Sequence, residues 1–280
     1  MRSVEGSIDA LYLSMQDGVR AVGIDGTPGR YAPLEGAGAL CAGENRLLCA
    51  DASGVVWKMD AQTLLPQGMF FAGPGVCDLA LSKGGMRLYA LLGEADSVVL
   101  LDGQNGRPLL LNRCGCNPVQ MVLRKNLLAV AGGQSGCVHL YDAKTLVCRQ
   151  EISMPGPVCA LALAAGALYA LCLTAQLDTL LVIQSEGKKW SVRLDGMPGA
   201  LLLRENQLYV QTQGWLHVFD PLSLALLQRR SAPGRASKLC VFGNCLAMLD
   251  ALSERAYVLY DGAVWRVLGE GIKDMCLALG

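Results

Sequence analysis

The feature that most constrains this chain is that it repeats itself. The stretch "VVWKMDAQTL" at 55–64 returns as "CVHLYDAKTL" at 137–146. Segments of the same kind ("RAVGID", "SVVLLD", "TLLVIQ", "WLHVFD", "AYVLYD") stand elsewhere, and the set ends at Asp25, Asp60, Asp102, Asp142, Gln184, Asp220 and Asp261. The intervals are 35, 42, 40, 42, 36 and 41 residues, so seven copies of about 40 fill the 280 residues. A unit of that size cannot bury its apolar faces alone and must stack on its neighbours.

Further apolar columns run in register with the first. One reads Leu11, Leu47, Leu88, Leu127, Leu168, Leu208 and Cys245, followed by Tyr in four copies: Tyr12, Tyr89, Tyr169 and Tyr209. Ahead of it lies a strand centred on Leu40, Leu79, Met121, Leu161, Leu201, Leu239 and Met275. A fourth follows the Asp, as in "TLLPQGMF" and "TLVCRQEI". Four short strands per period predict an all-β, seven-bladed β-propeller with four-stranded antiparallel blades, residues 1–280 forming one domain. The aspartates read as turn formers, because Asp accepts bonds from main-chain amides just ahead of it in the chain. The residue after the innermost column is Cys41, Ala80, Val122, Ala162, Leu202, Cys240 or Cys276, mostly small, as crowding near an axis requires.

The two ends complement one another. "MCLAL" at 275–279 matches a first strand with nothing after it, and "ALYLS" at 10–14 matches a second strand with only a polar leader before it. The C-terminal strand is therefore expected to be the innermost of a blade whose other three strands come from residues 10–34. Such closure seals the ring and implies a domain truncated at neither end.

Composition narrows the function classes. Lys plus Arg equals Asp plus Glu at 24 each, so no basic footprint for nucleic acid is present. Hydrophobic residues make up 52% and charged ones 17%, which excludes disorder and suggests strands buried on both faces. "VCALALAAGALYALCLTA" at 158–175 is uncharged and long enough for a membrane span, but the repeat reads it as two strands joined at Gly166. No basic segment precedes an apolar run at the N-terminus, so the expectation is a cytoplasmic protein with its twelve cysteines as free thiols.

"LYVQTQGWLHVFDPLSLALL" at 208–227 and "LYALLGEADSVVLLDGQNGRPLL" at 88–110 resemble the repeats of YVTN-type seven-bladed propellers. In that pattern a Tyr-Val-type strand, a short polar turn and a strand ending Val-Ile-Asp recur in each blade. The Asn-rich turn of that family is mostly absent here, and so is the His and Trp-Asp signature of WD-repeat propellers. The resemblance implies the fold. Lactonase-like members of the superfamily are hydrolases, but no matching His, Arg and Glu set stands here to carry over.

The residues offer little conventional catalytic chemistry. His139 and His217 sit in an apolar column and read as core or interblade residues. Cys114-Gly115-Cys116 reads as two thiols at a blade junction; a metal or redox role would need partner ligands or a lowered thiol pKa. "AGGQSG" at 131–136 runs from strand to strand and lacks the helix N-terminus of a phosphate cradle.

What remains is surface charge. The second-to-third-strand turns carry Asp17, Asp51, Glu94, Asp96, Asp178 and Glu254, with Arg255 and nearby Arg20 against them. The first-to-second-strand turns, on the opposite face, carry Arg46, Lys83, Arg87, Arg124, Lys125 and Arg204 against Glu44 and Glu205. One acidic and one basic rim are expected, the acidic one a docking platform for a basic partner. The sequence therefore predicts a monomeric, non-catalytic binding or scaffolding module with a protein partner. It predicts no catalytic residues, cofactor, metal, nucleic acid or membrane. The alternative is a hydrolase or lyase with its site at the axial channel mouth, which convergent charged residues there would favour.

Overall fold

The C-terminal segment pairs with the N-terminal one. In the computed structural model, which describes residues 10–23, 27–43, 45–204, 206–242, 245–260 and 264–277, β28 (Ile272–Leu277) lies antiparallel to β1 (Leu11–Met15). The register sets Leu11 opposite Leu277, Tyr12 opposite Cys276 and Leu13 opposite Met275. With β2 (Gly18–Val22) and β3 (Pro28–Pro33) this makes blade 1. Six more four-stranded antiparallel sheets complete a seven-bladed β-propeller. Their inner strands are β4 (Ala37–Gly43), β8 (Val76–Leu81), β12 (Pro118–Arg124), β16 (Val158–Leu163), β20 (Pro198–Arg204) and β24 (Lys238–Phe242), opening blades 2 to 7 in chain order. Among the described residues the only helical element is the single 3-10 turn Lys83–Gly85, and no helix is long and apolar enough to cross a membrane.

Burial follows position in the blade. Second strands are covered on both faces: Leu47, Leu48, Cys49 and Ala50 are all buried, as are Leu88 to Leu92 and Leu128 to Ala131. Neighbouring blades supply both covers, which explains strands without polar alternation. Fourth strands run along the rim and are largely exposed. The stretch 158–175 is β16 followed by β17 (Ala167–Leu173), with Gly166 between them at φ +82°, where a side chain would be strained. None of the twelve cysteines is in a disulfide.

Two polar devices recur. Asp60, Asp102, Asp142 and Asp220 each accept bonds from the main-chain amides two and three residues on, at 2.7–3.1 Å. These amide bonds hold each carboxyl below its ordinary range, Asp142 to about 2. Asp25 and Asp261, assigned the same role, lie outside the described residues. The second device joins blades. Tyr12 donates its hydroxyl to the Ala61 carbonyl at 2.6 Å, Tyr89 to Ala143 at 2.6 Å and Tyr169 to Pro221 at 2.9 Å. In each case the accepting carbonyl directly follows the Asp of the next blade's turn. A buried phenol needs such a partner, and the turn supplies one at a fixed place.

Ile272 and Met275 of β28 are fully buried. Deleting residues 272–280 removes both side chains and leaves β1 as an open edge. At about 2–5 kcal/mol for each lost apolar side chain, the thermal midpoint is expected to fall by about 10 °C or more. Scanning calorimetry checks this; an unchanged midpoint contradicts the closure.

Candidate functional site at the axial mouth

Inner strands meet at the axis as edge strands, so some of their amides lack a ladder partner. One column answers this need. The residue ahead of the inner-strand Leu/Met column is Ala39, Asp78, Gln120, Ala160, Ala200, Lys238 or Asp274. The Gln120 Oε1 accepts the amide of Leu161 in the next blade at 2.8 Å. Asp78 Oδ2 accepts the Met121 amide at 2.8 Å, and Asp274 Oδ2 the Leu40 amide at 2.7 Å. Where the preceding blade offers no acceptor, the acid serves itself. Ala39 precedes Asp78 and Lys238 precedes Asp274. In both places the second carboxylate oxygen takes the amide of its own following residue, Leu79 at 2.9 Å and Met275 at 2.8 Å. A β-bulge just before this column recurs in blades 2 to 6 and turns the chain towards the axis.

Lys238 completes the cluster. Its Nζ lies 2.8 Å from Asp274 Oδ1 and 2.9 Å from Oδ2. Burial works against the ammonium charge, but Asp274 and Asp78 outweigh it and hold the lysine pKa above its ordinary value. Asp78 has no direct cationic bond. Burial pushes its carboxyl up to about 6, against the lowering pull of Lys238 and the Met121 amide. Beside this group Cys41 and Cys240 are pushed by burial to about 12 and Cys276 is raised as well, so these thiols stay protonated.

Above the cluster opens a cavity of about 460 Å³. Asp78, Gln120, Lys238 and Asp274 line it, together with Arg235 and Lys273. Ala251 and Leu252 of the second-to-third-strand turn of blade 7 also line it. The mouth therefore opens on the face that carries the acidic turns.

Those six acids are placed as follows. Asp51 accepts bonds from the Ser53 amide and hydroxyl, the Val55 amide and Trp57 Nε1; despite burial, the bonds from Ser53 and Trp57 hold its pKa down. Asp96 accepts the amides of Cys116 and Asn117. Asp178 pairs with Arg193 at 2.7 Å, and Glu254 pairs with Lys273 at the cavity lip. Asp17 and Glu94 stand exposed. On the opposite face Arg46 donates to the Gly103 carbonyl at 3.1 Å, and Arg124 and Lys125 line a hollow of about 270 Å³ with Arg149. Glu44 and Glu205 lie outside the described residues.

His217 is buried, stacked on Phe219, and burial lowers its pKa. Cys114 and Cys116 are buried in the seam between blades 3 and 4, where the Cys116 thiol lowers the pKa of Cys114. Sequence reasoning had passed over Asp78, Gln120, Lys238 and Asp274. The available signal was four polar residues in a column otherwise filled by alanine.

Two outcomes follow from this geometry. Lys238→Met leaves the Asp274 carboxylate without its cation in the channel, and is expected to cost about 2–4 kcal/mol, read as a lower thermal midpoint. Asp78 gives a pH signature. An unfolded aspartate titrates at about 3.9, so between about pH 4 and 6 the folded chain holds a proton that the unfolded chain has released. Stability contributed at Asp78 falls as pH rises through that window, by at most about 3 kcal/mol, less whatever cavity water screens. The midpoint of the wild type relative to Asp78→Asn should therefore drop from pH 4 to 6; a constant difference contradicts the assignment.

No protein-family model matches the chain, and no curated protein matches it in sequence. Solved structures do match in shape. A functionally unknown protein from Desulfotomaculum acetoxidans aligns with a TM-score of 0.81 at 11% identity, covering 97% of this chain and 99% of that one. The computationally designed Ika8 protein aligns at 0.66 and 15% identity, covering 96% and 90%. Hsv2 of Kluyveromyces lactis aligns at 0.62 and 10% identity, covering 80% and 74%. At these identities the likeness is one of fold: the chain is a seven-bladed β-propeller.

Proposed function

We propose that the protein is a non-catalytic, YVTN-type binding propeller that acts as a monomer in the cytoplasm and docks a basic protein partner on the face of the axial mouth. The observation that carries this reading is the state of the axial carboxylate Asp274. A carboxylate has about four lone-pair sites. Asp274 spends all four, on Lys238 twice and on the Met275 and Leu40 amides. A group so committed cannot also accept a substrate proton or attack an electrophile, whereas it holds the surrounding surface rigid. Rigid, pre-organised faces suit recognition, because little ordering entropy is lost on binding. Of the six turn acids, Asp17 and Glu94 are exposed, and Asp178 and Glu254 share their charge with Arg193 and Lys273.

One observation favours a second reading. Asp78 uses one bond per oxygen and titrates at about 6, the property of a general base near neutral pH. A hydrolase or lyase at the channel mouth would use it.

The readings separate experimentally. Immobilised wild-type protein, an Asp17→Lys/Glu94→Lys variant and an opposite-face Lys83→Glu/Lys125→Glu variant are exposed to the same native extract. The reading expects a protein held by the wild type and the opposite-face variant but lost from the first variant. Loss only from the opposite-face variant, or from neither, overturns it. Turnover of lactones or esters, reduced about 100-fold or more in Asp78→Asn, would establish the second reading in its place.

A further inference from the structure

A second cluster lies away from the axis, in blade 4. On β14 (Cys137–Asp142) the residues Cys137, His139 and Tyr141 alternate and so share one face. Strand β15 (Cys148–Ser153) sets Glu151 directly opposite His139. Cys137 Sγ lies 3.4 Å from His139 Nε2, and Glu151 Oε2 lies 3.8 Å from the same nitrogen. All three donor atoms fall within 4.8 Å of one another.

The surroundings orient these donors. Tyr141 Oη sits 3.0 Å from His139 Nδ1. With Nδ1–H donating to that oxygen, the Nε2 lone pair faces Cys137 and Glu151. This is how a second partner fixes the tautomer of a ligating imidazole. Ser135 Oγ lies 2.9 Å from Cys137 Sγ and donates to the Cys116 carbonyl at 3.1 Å, which fixes the loop before β14. Cys137 is buried against the seam, while the Glu151 side chain is 64% exposed.

From these contacts we infer that Cys137, His139 and Glu151 form a zinc-binding site with three protein ligands and a fourth position open to water. Tetrahedral zinc with its usual bond lengths separates a thiolate sulfur from an imidazole nitrogen by about 3.5 Å, and that nitrogen from a carboxylate oxygen by about 3.4 Å. The observed 3.4 and 3.8 Å match the first and leave a few tenths for the second. The sulfur-to-carboxylate separation is within 4.8 Å, against about 3.6 Å for tetrahedral zinc. Rotation of the exposed glutamate side chain shortens both. A mixed sulfur, nitrogen and oxygen set suits zinc, whereas magnesium and calcium take oxygen alone. Binding transfers the Cys137 thiol proton to solvent, so affinity rises with pH. Cys114 and Cys116 lie in the same apolar seam but outside the ligand set.

The test uses the full chain stripped by a chelator and dialysed. Zinc uptake is followed by competition with a chromophoric chelator, and cobalt(II) is added separately as a spectroscopic probe. The site predicts one metal ion per chain and a thiolate-to-cobalt charge-transfer band. Cys137→Ala abolishes both. Glu151→Gln, at an exposed position that leaves the core intact, weakens zinc by at least about 10-fold and retains the thiolate band. A Cys114→Ser/Cys116→Ser variant keeps stoichiometry and band. A chain that takes up no zinc, full-affinity binding in Glu151→Gln, or loss of the metal in the Cys114/Cys116 variant overturns the inference. Far-ultraviolet circular dichroism confirms that each variant is folded.

Discussion

Seven strands that converge on an axis cannot pair with one another, and that constraint shapes the centre of this molecule. Each inner strand has one ladder neighbour and one edge facing the channel. Amides on that edge must find acceptors, since an unmet buried donor costs about 1–3 kcal/mol. Gln120, Asp78 and Asp274 supply them from one blade to the next. In blade 6 Gln211 of the second strand takes over, accepting the Ala236 amide at 2.7 Å. The polar centre thus originates in the backbone. Its carboxylates then need charge compensation, which Lys238 gives to Asp274 directly. Asp78, two blades further round the ring, receives only the lysine's field as charge compensation, and burial keeps its pKa raised.

Much of the architecture was legible because it follows from periodicity. The interval of about 40, the Asp at the end of six of the seven third-strand segments and the complementary ends are all one-dimensional features. They predict blade number, turn chemistry and closure, and β28 pairing with β1 agrees. His217 is buried, as its apolar column implies, whereas His139 in the same column is only half-buried. The axial cluster was harder to see. Asp78, Gln120, Lys238 and Asp274 come from blades 3, 4, 7 and 1, and their meeting depends on ring curvature, which no local pattern encodes. The acidic turns show the reverse problem. Sequence places six acids on one face but cannot say that Asp51 and Asp96 are occupied by local amides, or that Asp178 and Glu254 have cationic partners.

The departures from sevenfold symmetry carry specificity. A ring of identical blades could close with any blade beside any other, or exchange blades between chains. Here the seams differ. Tyrosines of blades 1, 3 and 5 reach the turns of blades 2, 4 and 6. Blades 7, 1 and 2 are joined by Lys238, Asp274 and the Leu40 amide. Moving blade 7 or blade 1 by one place would part the Asp274 carboxylate from its Lys238 cation. The penalty for such unmet polar groups exceeds what apolar contacts, which are interchangeable among Leu, Val and Ala, could enforce. The closing junction lies inside blade 1, where β28 joins β1 with no help from chain connectivity, across the whole length of the sequence. Asp274 of β28 accepts the Leu40 amide across that junction, and Lys238 pairs with Asp274 from the C-terminal side. The Asp274–Leu40 bond is thus a directional contact between the two ends of the chain, the arrangement expected if this carboxylate helps select the correct partner while the apolar columns supply most of the stability.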